Sequence, residues 1–153
     1  MFVRDFAKVP LAQDIVVSRI SQADTWVHAL DSAFDATDRQ VLARYGMRDL
    51  VGDTSPCAQA RICSVVQRAR GVVIGLEWQP TGRPDWEPEV QAEVTVAALG
   101  PQLSHLEFDA TYSGRKALSP AAADRVVQHR ALEYAVRLIL NELVKHLTEG
   151  ARV

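Results

Sequence analysis

The chain is predicted to be an α+β domain in which a curved antiparallel sheet wraps around a long helix near its end. Three observations predict this. Val90–Leu99 and Leu103–Ser113 each alternate apolar and polar residues, and Gly100-Pro101-Gln102 between them supplies turn residues. From Ser119-Pro120 to about Leu147, apolar residues recur at helical spacing. Such a helix is about 40 Å long at 1.5 Å per residue, and covering its broad apolar arc calls for a curved sheet.

Taken in order, Asp14–Ile20 is short and rich in β-branched residues, which predicts a first strand. Ser21 is then placed as an N-cap with Asp24 three residues on. Ala23, Trp26, Val27, Leu30, Ala33 and Phe34 form the apolar stripe of a helix over 22–35. Thr37 and Gln40 repeat the capping pattern before a second short helix that Gly46 ends. Two short helices therefore follow the first strand.

Asp49–Pro56 is a turn-rich bridge. Ala60–Arg68 and Val72–Gln79 are predicted strands joined near Arg70-Gly71, with Val72, Ile74, Leu76 and Trp78 on one face. The stretch 80–88 holds three prolines and a glycine and cannot be strand interior. In the following hairpin, Val90, Ala92, Val94, Val96, Leu106, Phe108, Ala110 and Tyr112 are assigned inward. Gln91, Glu93, Thr95, His105, Glu107, Asp109 and Thr111 are assigned to a wet face. On the last helix, Leu132, Ala135, Val136, Ile139, Leu143 and Leu147 form the apolar arc, opposite Arg130, Glu133, Arg137 and Asn141.

At 153 residues the chain is read as one domain, 1–153, with its core over about 14–147. With 17 Lys plus Arg against 19 Asp plus Glu, there is no basic excess to favour nucleic acid. No apolar run reaches the roughly 18 residues that span a bilayer, and the first residues lack a signal-peptide core. Cys57 and Cys63 do not form a Cys-x-x-Cys pair. Two buried or half-buried thiols and a reduced, cytoplasmic setting are therefore expected.

Order and residues together resemble the START-like, helix-grip (SRPBCC) superfamily, most of all its bacterial polyketide cyclase/dehydrase-like branch. Leu76-Glu-Trp78, Thr81-Gly82, the hairpin around Leu99-Gly100-Pro101, Tyr112-Ser-Gly114 and His129-Arg130 carry the resemblance. It implies a sheet gripping the last helix and a cavity between them. Five strands are visible where that fold has six or seven, so a further strand is expected in 47–51 or around Cys57.

Candidate chemistry is sparse. His28, His105, His129 and His146 show no zinc-type spacing, so no metal site is expected, and no cofactor motif is present. His129, Glu133 and Arg137 share a helical ridge suited to surface pairing. Glu107 and Asp109 share a strand face as a carboxylate pair would, but the wet one. Trp78, Tyr112 and Tyr134 instead join apolar bodies to polar tips on faces assigned inward, a composition that suits a ligand cavity. The expected lining is Ile74, Leu76, Trp78, Val94, Phe108, Tyr112, Tyr134 and Leu138, with Trp86 at the mouth, and the expected ligand is an apolar or aromatic small molecule. Two other readings stand beside it. One is a cyclase or dehydratase acting on a polyketide-like substrate. The other is a homodimeric interaction module using Trp86 or Phe2, Val3 and Phe6.

Overall fold

A computed structural model describes residues 2–33, 58–80, 90–112 and 125–150. In chain order the elements are β1 (Phe2–Val9), α1 (Gln13–Ile20), α2 (Ala23–Ala33), β2 (Ala58–Arg68), β3 (Gly71–Pro80), β4 (Val90–Gly100), β5 (Leu103–Tyr112) and α3 (Arg125–Gly150). The strands form one sheet in the order β1-β5-β4-β3-β2, and every pairing is antiparallel. The curved sheet, the two helices after the first strand and the closing helix are the arrangement predicted above.

The identity of the first strand is a correction. Asp14–Ile20 is helix α1, and the strand is β1, which pairs Phe2–Val9 with Thr111–Ser104 of β5. The sheet thus begins at Phe2, ahead of the expected core. Helix wins over the β preference of Ile15-Val16-Val17 because tertiary burial overrides propensity. Val16 and Ile20, four apart, are both fully buried. The first turn is tied to β4 by Gln13 Nε2 donating to the Val96 carbonyl at 2.9 Å. Asp14 near the start and Arg19 near the end suit the helix dipole.

Ser21 closes α1 rather than opening α2. Its hydroxyl donates to the Val17 carbonyl at 2.6 Å. The carbonyls of Arg19 and Ile20 accept from Thr25 Oγ1 (2.8 Å) and Trp26 Nε1 (2.7 Å). Side chains of the second helix therefore satisfy the orphan carbonyls at the end of the first, and the two helices turn about this corner. Arg19 also reaches across to donate to the Leu147 carbonyl in the last turn of α3 at 2.8 Å.

The α3 arc is as assigned: Leu132, Ala135, Val136, Ile139, Leu143 and Leu147 are all fully buried. Two strands carry one extra residue each. Cys63 is the extra residue between the Ile62–Leu76 and Ser64–Gly75 pairs. Leu99 is the extra residue between Ala98–Ser104 and Gly100–Leu103. Leu99 is accordingly exposed. Cys63 is exposed as well, contrary to the expectation of a buried thiol. The expected short helix before Gly46, the further strand at 47–51 or around Cys57, and Cys57 itself lie outside the described residues.

Candidate functional site

The inner face of the sheet is built in rungs. Ile74, Val94 and Phe108 lie side by side across β3, β4 and β5, and the next rung holds Leu76, Ala92 and Ala110. Beyond it Trp78 stands opposite Val90, and Val90 opposite Tyr112. The middle rung ends in two single methyl groups, so the sheet floor is low between Phe108 and Trp78. Leu132, Leu140 and Leu143 of α3 and Trp26 of α2 belong to the same core cluster, all fully buried. Phe108 is the middle ring of three, with centroids 5.8 Å from Trp26 and 6.1 Å from Trp78.

Of the expected lining, Ile74, Leu76, Trp78, Val94 and Phe108 are gathered here and buried. Leu138 is half-buried and packs against the same core. Tyr134 is a correction to the inward assignment: it is 39% exposed. Two residues along a helix is a rotation of roughly 200°, which carries Tyr134 away from Leu132 and the buried arc. Tyr112 holds its strand position, but its side chain, like Trp86, lies outside the described residues. Trp26, Ala92 and Ala110 were missing from the expected set. The helical stripe through Trp26 was the signal that could have placed it.

Among the described residues, one buried side-chain polar atom is unmatched. Trp78 is fully buried, and its indole N–H has no hydrogen-bond partner. Buried polar groups nearly always find one, because an unmade bond costs about 1–3 kcal/mol. Trp26 is the internal comparison, equally buried but bonded to Ile20.

The outer face is charged and neutralised within itself. Arg4 Nε lies 2.6 Å from Asp109 and 3.1 Å from Glu107, while Arg61 pairs with Glu77 at 2.5 Å. A broad open trough of about 450 Å³ crosses this face past Arg4, Asp109, Glu93, Gln91, Glu77 and Cys63. Partial desolvation, with Glu77 adding to it, pushes the Cys63 thiol pKa up. At neutral pH it is therefore protonated and a poor nucleophile. Phe2 and Phe6 of β1 are exposed on the same face, with Phe6 against His105 at 5.5 Å. The outward amide of Phe6 is already bonded to Asp5 Oδ1 (2.8 Å), which blunts this sheet edge.

The helical ridge divides. His129 pairs with Glu133 at 3.1 Å, while Arg137 turns to Asp5 of β1 at 2.8 Å. Among the described residues, no group of three or more His, Cys, Asp or Glu is arranged to hold a metal ion. Among them, too, no helix is long and apolar enough to cross a membrane.

No protein-family model matches the chain, and no curated protein resembles it closely enough in sequence to count as a match. Solved structures do match. A conserved protein from Geobacillus kaustophilus superposes with a TM-score of 0.59 at 8% identity, covering 98% of this chain and 97% of the other. The Zhui aromatase/cyclase from Streptomyces sp. R1128 gives 0.51 at 14% identity, over 100% and 96%. The fold is START-like. The di-domain aromatase/cyclase BexL, from the BE-7585A biosynthetic pathway, matches at 0.52 and 13% identity, with 97% of this chain covering 46% of BexL. At such identities the likeness is one of START-like fold alone, and fold does not fix activity.

Proposed function

We propose that this START-like chain binds an apolar or aromatic small molecule between the inner face of the sheet and α3, and that Trp78 orients it. The unmatched indole N–H carries this reading: a donor already desolvated gains a full hydrogen bond from any ligand that brings it an acceptor. Ile74, Leu76, Val94 and Phe108 supply the apolar surface beside it, and Leu138 extends that lining. Burial of ligand hydrocarbon supplies most of the affinity, at about 25 cal/mol per Å². The aromatase/cyclase neighbours supply a precedent for the fold. A reaction has less support here, because the buried polar residues among those described are Thr25 and Ser104, neither an acid nor a base at neutral pH.

The test uses two probes of like shape, 2-acetylnaphthalene and 2-ethylnaphthalene, only the first of which carries a carbonyl acceptor. Both are expected to saturate, with the ketone preferred by roughly fivefold, the equivalent of about 1 kcal/mol. Trp78→Phe removes the N–H and is expected to abolish the preference while both probes still bind. Failure of either probe to saturate the wild-type protein would remove the reading. A preference that survives Trp78→Phe would remove Trp78 from it.

A further inference from the structure

His28 of α2 and His146 of α3 lie with ring centroids 4.3 Å apart and planes inclined by 41°, His28 exposed and His146 half-buried at the contact between the two helices. Neither residue belongs to the lining set. Three charged groups bear on this contact: Arg19 from α1, Glu149 on the last turn of α3, and whichever of the two imidazoles is protonated first. Arg19 is fixed nearby through its bond to the Leu147 carbonyl. We propose that the His28–His146 pair is an acid-operated latch that holds α2 against α3 while the rings are uncharged and releases it when both take up a proton.

The physics follows from distance. Neutral imidazoles meet as two tilted, weakly polar rings with no net charge to separate them. A first proton is tolerated, since Glu149 partly offsets it. A second places two cations about one ring-width apart, one of them on the half-buried His146, with the Arg19 guanidinium adding to the repulsion. Desolvation and then His28 push the His146 pKa down. The folded protein therefore binds fewer protons here than the unfolded chain. The contribution of the pair is intact above the ordinary histidine range, and it is lost as pH falls from that range through the lowered value.

Release is expected to be local. The first turn of α2 is tied to α1 by Thr25 and Trp26, so release is confined to the part of α2 beyond it. The latch does not depend on what the interior holds.

Two measurements on the intact protein test the proposal. In a nuclear magnetic resonance titration, His146 is expected to take up its proton below the ordinary histidine range. In His28→Gln, the His146 step should move up toward the ordinary value. Hydrogen exchange, corrected for its intrinsic pH dependence, should show α2 amides losing roughly tenfold protection between about pH 8 and pH 5, with the centre of α3 unchanged. That loss should be absent in His28→Gln and in His146→Gln. Titration of His146 at the ordinary value in the wild-type protein would overturn the latch, even if the variants failed to fold. So would an α2 response that persists in either folded variant.

Discussion

Gly71→Ala is expected to lower stability by about 4 kcal/mol or more, a loss in the exceptional class for one methyl group. Gly71 opens β3 directly after the two-residue turn from β2, with φ 141°, the one positive φ among the described residues. A Cβ built there would sit 2.1 Å from the Val96 carbonyl oxygen and 2.9 Å from its carbon. Those atoms are β4 backbone and cannot yield as a side chain tip would. Either the hairpin opens or β3 lifts off β4, and both routes break the middle of the sheet. Gly100→Ala is the control: its nearest neighbour would be Leu103 Cβ at 4.0 Å, ordinary contact. Urea unfolding of the pair should show a large fall in midpoint for the first and little change for the second. Equal midpoints would show that the close approach to Val96 is wrong.

Phe108→Ala is expected to cost about 3–5 kcal/mol, through lost burial and the cavity left behind. Phe108 is the middle ring between Trp26 and Trp78, so its removal leaves both tryptophans without a shared neighbour. Against a typical domain stability of about 5–15 kcal/mol this is a large share. Near-ultraviolet circular dichroism should weaken along with the urea midpoint, since both indoles lose their packing. Leu103→Ala, on β5 but partly exposed, should cost far less. A Phe108→Ala protein as stable as the Leu103→Ala variant would refute the placement of the three rings.

The parts of the fold that the sequence made legible are those where one face is wet. β4 and β5 alternate because Gln91, Glu93, Glu107 and Asp109 meet solvent or ion-pair partners while Val94 and Phe108 do not. The α3 arc is legible for the same reason. β1 is not, because its pattern is inverted. Phe2 and Phe6 lie on the outer face, while Asp5 takes the inner face and is matched there by Arg137. Nothing local announces that match. α1 reads as a strand because its β-branched residues are placed by contacts with the sheet and not by propensity. The gathering of Ile74, Leu76, Trp78, Val94 and Phe108 was likewise readable from alternation. Whether the Trp78 N–H found an acceptor was not, since that depends on every neighbour in three dimensions. The His28–His146 contact joins residues from distant parts of the chain.

The β1–β5 pairing joins Arg4 to Asp109, 105 residues apart, whereas β2, β3, β4 and β5 form successive neighbour pairs. Closing so long a loop yields no contacts until its far end exists, and that ordering sets the route of assembly. On the ribosome β1 emerges well before its partner strand and waits unpaired until β5 is synthesised. The meander therefore forms first and β1 docks onto a finished edge. Blunting of that strand by Asp5 and its basic residues then has a second use: it keeps a waiting strand from pairing with the wrong chain.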